Sequence, residues 1–200
     1  MHLTSAGCRT KWRVIHFAKD RKAAATPFVR CCGRYVQNQI RLRDQLKNLI
    51  IRKASSKDQL ALLNLEQKVI EAERPFNNTI KPENAIYYDL KNLVTDDASH
   101  LVVAELKGKI IGSGYAQIRE SKKSLKHTKH AYLGFMYVEP DYRGLGINKL
   151  IMESLIDWSK QQDIFDLYLD VYDGNDAAIR AYEKVGFVKS LVEMKINLGV

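Results

Sequence analysis

The sequence predicts an α/β fold built on a mixed sheet, and three observations predict it. From about Leu49 onward, short runs rich in β-branched and aromatic residues alternate with stretches whose apolar residues recur every three or four positions. Two β-rich runs in HLVVAELKGKIIGSGYAQIRE are separated only by a turn around Lys107 and Gly108, the pattern of an antiparallel hairpin. A further run, HAYLGFMYV, passes through a proline and two glycines directly into a helical pattern.

Each element follows from its own pattern. LIIRKAS is a short strand, and Ser56 stands as N-cap of a helix over KDQLALLNLEQKVIEAE with Leu60, Leu63, Val69 and Ile70 partly on one face. PENAIYYDLKNLV predicts a second helix, opened by Pro82. Near-continuous apolarity in HAYLGFMYV predicts a strand buried on both faces. Ile147, Leu150, Ile151, Leu155 and Trp158 recur at helical spacing. IFDLYLDVY sets Leu167, Leu169 and Val171 against Asp166, Tyr168 and Asp170, a strand with two distinct faces. NDAAIRAYEKVGF is a helix ended by Gly186, and LVEMKINL a closing strand. Upstream, RYVQNQIRLRDQLKNL permits a short helix on Val36, Ile40, Leu42, Leu46 and Leu49.

Composition bounds the function classes. A chain of 200 residues with 46% hydrophobic content can bury a sizeable core, read as one domain over 46–200 preceded by an extension over 1–45. No apolar run is long enough for a membrane-spanning helix. Charge interrupts every apolar cluster in MHLTSAGCRTKWRVIHFAKD, unlike a secretory signal peptide, so a cytoplasmic protein is expected. Cys8, Cys31 and Cys32 all lie in the extension, leaving the rest of the chain without a disulfide framework. The net charge of +9 is uneven: residues 1–53 hold 13 Lys+Arg against Asp20 and Asp44, whereas residues 54–200 are slightly acidic. A basic arm can bind phosphate backbones nonspecifically or resemble a targeting peptide. High charge with weak patterning also fits a loosely ordered tail, and nucleic acid is not the expected partner.

YVEPDYRGLGINKLIMESL carries the chemistry. A strand ending at Val138 and turning through Arg143-Gly144-Leu145-Gly146 into a helix presents several unpaired backbone N–H groups in one direction. With the positive end of the helix dipole, they form an anion site suited to a pyrophosphate. Glycine permits positive φ and close approach of a ligand to backbone. The stretch is neither a Walker loop nor a dinucleotide fingerprint.

A second stretch, LDVYDGNDAAIRAYEKVGF, places Asn175, Ala178, Tyr182 and Gly186-Phe187 on one helix and its exit. Together the two motifs resemble the GNAT superfamily of N-acetyltransferases, over about Leu49 to Val200. The resemblance implies a GNAT-like mixed, mostly antiparallel central sheet with helices on both faces, and acetyl-CoA as cosubstrate. It further implies that backbone at Tyr137 and Val138 pairs with the pantetheine amides, where the strand splays from IFDLYLDV. Amides of Arg143, Gly144, Leu145, Gly146, Ile147 and Asn148 would hold the pyrophosphate. Asn175 would contact the cofactor arm, and the Tyr182 hydroxyl would sit near the thioester sulfur, donating a hydrogen bond or proton as thiolate charge develops. Two departures stand out. Asn148 occupies a Gly/Ala position of the loop motif, and the tail after Phe187 is short for the closing strands of many members.

An amine acceptor must lose a proton before attack, so a base is required. Histone-type relatives use a glutamate where this chain has Tyr132, which is no base at neutral pH. His130, two residues earlier on the same face, and Glu105, on a neighbouring strand, are the candidate catalytic bases. Glu139, in the loop, is expected to be solvated. His127 and His130 have HxxH spacing but lack a third ligand, so no metal is expected. Acceptor specificity is expected from EAERPFNNTIKPENAIYYDL, through Glu71, Glu73, Phe76, Tyr87, Tyr88 and Asp89. The acceptor is a small-molecule or peptide amine, no membrane is involved, and a homodimer is allowed. A non-catalytic acyl-CoA-binding module is the alternative.

Overall fold

The computed structural model describes residues 46–199, so the basic extension, its cysteines and most of the short upstream helix lie outside the described residues. Strands β1 (Leu49–Lys53), β2 (Ser99–Leu106), β3 (Lys109–Glu120), β4 (Lys129–Val138) and β5 (Leu167–Leu169) form one sheet in that order. β1 to β4 are antiparallel neighbours, and β5 joins β4 in parallel. That parallel step needs a crossover, which helix α3 (Ile147–Gln161) supplies. Helices α1 (Gln59–Glu73) and α2 (Leu90–Thr95) precede β2, and α4 (Asp176–Glu183) follows β5.

Two cores sandwich the sheet. On one face Ile147, Ile151 and Leu155 of α3 pack with Val102, Ala104, Ala116 and Leu133. On the other, Leu62, Leu65 and Val69 of α1 and Leu90 and Leu93 of α2 pack with Leu101, Val103, Tyr115 and Phe135. Successive residues of β2 divide between the two cores, which is why its sequence is almost continuously apolar. The mixed, mostly antiparallel sheet with helices on both faces is therefore the architecture present. α3 can press this close because β3 carries glycine: a Cβ on Gly114 would lie 2.6 Å from Ile151 Cγ2 and 2.7 Å from Met136 Sδ. Gly114→Ala is expected to cost about 1–3 kcal/mol through overpacking, read as a lower urea midpoint.

Several local expectations are corrected. Ser55, not Ser56, opens the α1 entry: Asp58 Oδ2 accepts from the Ser55 backbone N–H at 2.7 Å and its hydroxyl at 3.0 Å, across a short 3-10 turn. The buried face of α1 is Leu62, Leu65, Glu66, Val69 and Ile70, while Leu60 and Leu63 face solvent. Leu150 is likewise exposed on α3. The helix expected from Pro82 shrinks to Leu90–Thr95, capped by Asp89, whose Oδ1 accepts from Asn92 N at 3.0 Å. The buried Glu66 carboxylate accepts from the backbone N–H of both Tyr87 and Tyr88 at 2.8 Å, and Arg74 donates to the carbonyls of Lys81 and Pro82. These partners take backbone groups that a helix would need. No strand forms over LVEMKINL; Leu191, Val192, Met194 and Ile196 stand 78% to 90% exposed. β5 itself is only three residues long, a short edge for a further strand to pair with.

Arg52 braces β1, donating to Asp58 through Nη1 and Nη2 at 2.8 Å each and to Glu105 Oε2 through Nε at 2.7 Å. The Arg52 hydrogen bond holds the buried Asp58 carboxyl well below the usual carboxylate range, against the opposing effect of burial. A depressed folded pKa contributes stability above the unfolded value near pH 4, lost as pH falls further. Asp58→Asn is expected to cost about 1–3 kcal/mol at pH 7 and progressively less as pH falls below about 4 toward the depressed folded value, measured by urea unfolding at a series of pH values.

Candidate active site

The site begins where β4 leaves the sheet. β5 pairs with β4 only at Ala131, Tyr132 and Leu133. Immediately beyond, Phe135 takes φ 55° and the β3 register shifts, a bulge that sets two β4 residues against Gly114; Ser113 Oγ donates to the Phe135 carbonyl at 3.0 Å. The remainder of β4, through Tyr137 and Val138, runs on without a β5 partner. The two strands thus part on the path to the glycine loop.

After a 3-10 turn at Pro140–Tyr142, the chain enters α3 through Gly144 (φ 76°) and Gly146 (φ 83°), the latter being the α3 N-cap without a side-chain cap. Among the described residues, the backbone N–H groups of Gly144, Leu145, Gly146, Ile147 and Asn148 find no acceptor. A Cβ on either glycine would meet nothing within 4 Å. Unsatisfied donors, open space above them and a helix N-terminus fit a pyrophosphate. Ile147 contributes only backbone, its side chain being buried. Arg143 Nε donates to the Val138 carbonyl at 2.9 Å, so its side chain folds the loop against the strand, and that carbonyl already has a partner. Glu139, expected to be solvated, instead pairs with Lys68 of α1.

α4 carries the second motif. The Asn175 side chain caps it, Oδ1 accepting from Ala178 N at 3.2 Å, which leaves the amide NH₂ free to donate. Gly186 (φ 110°) ends the helix turn, and Tyr182 sits half-buried with Phe187 edge-on at 6.3 Å. Burial, and then the negative charge of Glu73, push the Tyr182 hydroxyl up to about 12. It is a neutral phenol at physiological pH and thus a donor rather than a base.

The two candidate bases lie elsewhere. Glu105 is held by Arg52, and β3 and β4 stand between its strand and β5. His130 is at the beginning of β4, the opposite end from the glycine loop. Its Nδ1 lies 2.9 Å from Ser121 Oγ, which also meets His127 Nδ1 at 2.8 Å; His127 Nε2 in turn lies 3.0 Å from the Tyr168 hydroxyl. Burial first, then the charges of His127 and Arg119, lower the His130 pKa. Among the described residues no group of three or more His, Cys, Asp or Glu could hold a metal ion. Nor is any described helix long and apolar enough to cross a membrane.

What the structure does gather is an aromatic cluster. Tyr88 packs on Phe135 at 4.7 Å and edge-on to Tyr87 and Tyr115 at 5.8 Å; Phe76 stacks on Tyr172 at 6.3 Å. The Tyr132 hydroxyl donates to Asp170 Oδ2 at 2.7 Å, with the Arg119 guanidinium 3.8 Å over its ring. Of the residues expected to line the acceptor side, Glu73, Phe76, Tyr87 and Tyr88 belong to this neighbourhood. Glu71 instead pairs with Arg74, and Asp89 caps α2. The Tyr132–Asp170 pair was not foreseeable from spacing, its partners lying 38 residues apart, whereas Gly134 beside Phe135 and Gly114 across the ladder were the signals that could have found the bulge.

Residues 66–187 match the family described as acetyltransferase (GNAT). The [ribosomal protein bS18]-alanine N-acetyltransferase of Escherichia coli is 36% identical over 55 residues, 28% of this chain and 37% of that relative, so the chain spans well under two thirds of its length. Among solved structures, the BH1408 protein of Bacillus halodurans superposes with a TM-score of 0.68 at 26% identity, covering 74% of this chain and 99% of that one. A predicted acetyltransferase of Clostridium acetobutylicum, solved with acetyl-CoA, shares the fold with a TM-score of 0.59 at 22% identity, covering 75% of this chain and 96% of that one. The family match takes in the splayed strands, the glycine loop and the Tyr182 helix together, and the chain belongs to the acetyltransferase (GNAT) family.

Proposed function

We propose that the protein is an acetyl-CoA-dependent N-acetyltransferase, moving an acetyl group from the thioester to a primary amine of a small molecule or peptide by direct attack. One observation carries the reading: five consecutive backbone donors, Gly144 to Asn148, stand open at the mouth of α3, where β4 has parted from β5. Bound acetyl-CoA supplies an activated carbonyl and a thiolate leaving group. The loop amides hold its pyrophosphate, and β4 backbone at Tyr137 and Val138 lines the gap that the pantetheine arm would take. The Asn175 amide donates to that arm. Tyr182 stays protonated and gives its proton to the departing sulfur. The amine acceptor is supported by the names of the relatives, which include alanine N-acetyltransferases, and by the carboxylate and phenols on the α1 side.

Acetyl-CoA titrated into the full chain by calorimetry is expected to bind saturably, and thiol release is expected with at least one member of an amine panel. Binding without thiol release across the panel would leave a binding module. No binding at all would remove the reading.

A further inference from the structure

Resting on the transferase reading, we propose that the acceptor arrives as a primary ammonium ion received by Glu73 and the nearby Tyr87 and Tyr172 hydroxyls, and that Glu73 takes its proton before attack. Glu73 is set apart from the other sheltered carboxylates. Asp58 and Glu105 are paired with Arg52, Glu139 with Lys68, and Glu66 accepts two backbone N–H groups. Glu73 is half-buried at the last residue of α1, where the helix dipole disfavours a negative charge, and among the described residues it has no ion-pair partner. Arg74, its neighbour, is committed to Glu71 and to the Lys81 and Pro82 carbonyls.

A second observation points to a missing donor. The Tyr87 hydroxyl is buried near enough to Glu73 and Tyr172 to feel both, yet neither lies within normal hydrogen-bond distance of it. A buried polar atom left unpaired is costly unless a ligand or water completes it. The Tyr172 hydroxyl accepts from Asn77 Nδ2 at 3.0 Å and keeps a lone pair to share. A carboxylate and two phenol oxygens make three acceptors, matching the three N–H donors of an ammonium group. Tyr182 lies close enough for the Glu73 charge to act on its hydroxyl, which sets the proton acceptor beside the proton donor. Burial raises the Glu73 carboxyl from its ordinary value, opposed by Tyr87, the direction that helps it hold a proton taken from an amine. The titratable groups facing it are Tyr87, Tyr88 and Tyr182, with Tyr172 near Tyr87.

The step balances. The ammonium passes one proton to Glu73, leaving a neutral amine and a neutral carboxyl. The nitrogen lone pair forms the C–N bond, and the C–S bond breaks with its electron pair on sulfur. Tyr182 protonates that sulfur and regains a proton from the nitrogen, while Glu73 releases its proton to solvent.

The test uses the full chain with n-butylamine as probe. Glu73→Gln is expected to lower kcat/KM for thiol release about a hundredfold at pH 7. The deficit should shrink as pH nears the amine's own pKa, about 10 to 11, where free amine no longer needs a base. Tyr87→Phe should raise KM for butylamine with kcat held. Independently of turnover, calorimetry on the protein saturated with CoA should show butylammonium binding at least tenfold weaker in Glu73→Gln, with acetyl-CoA affinity unchanged. A Glu73→Gln variant keeping the parent's pH–rate profile and butylammonium affinity overturns the proposal, as does a parent that binds acetyl-CoA but not butylammonium. A parent that fails to bind acetyl-CoA overturns the transferase reading instead.

Discussion

Tyr182→Phe is expected to reduce kcat for acetyl transfer about a thousandfold, within the range for loss of a positioned acid, while acetyl-CoA affinity measured by calorimetry stays within about twofold. The split follows from where the hydroxyl sits. The ring stays against Phe187 in the variant, so α4 and its Asn175 cap keep their places. Only the oxygen is lost, and it matters chiefly when charge develops on sulfur, so the interaction is stronger in the transition state than in the ground state. Because burial and then Glu73 hold the phenol at about 12, Tyr182 remains protonated throughout the working range. It acts in its protonated form, so activity lost to its ionisation would appear only as pH approaches that value. Any fall in kcat between pH 8 and 10 in the parent must have another source. A Phe variant with the parent's kcat would remove Tyr182 from the chemistry and leave it a packing residue.

The parts of this site that were legible in the sequence are those whose cause is local. Gly144 and Gly146 announce a turn needing positive φ, and both adopt it; Gly186 announces a helix end, and α4 stops just before it. The β2–β3 hairpin turns at Lys107 and Gly108 for the same reason. What failed depended on distant partners. Nothing within 77–89 says that its amides will be taken by Glu66, at the middle of α1, so its Pro-opened helical pattern misled. In α1, Leu60, Leu62, Leu63 and Leu65 lie on more than one face, and only docking on the sheet decides that Leu62 and Leu65 turn inward. Glu73 and Glu71 are two residues apart and alike in sequence. The fold gives Glu71 to Arg74 and turns Glu73 toward Tyr87 and Tyr182.

The second large effect is expected at Gly146. Gly146→Leu should weaken acetyl-CoA binding by about a thousandfold or more, roughly the contribution of several charge-assisted hydrogen bonds to phosphate, while the protein still folds. With φ at 83°, any side chain there carries strain, about 1–2 kcal/mol for a left-handed conformation, so thermal stability should drop modestly. The added Cβ meets no protein atom within 4 Å, so the side chain leaves the backbone into open space at the loop rather than into the core. Gly146→Ala carries the same backbone strain with far less bulk. If the loop seats a pyrophosphate, the two variants should lose similar stability but differ at least tenfold in affinity. Equal affinities would mean that strain alone disturbs the loop, and parent-like affinity in both would place the cofactor's phosphates away from the α3 N-terminus.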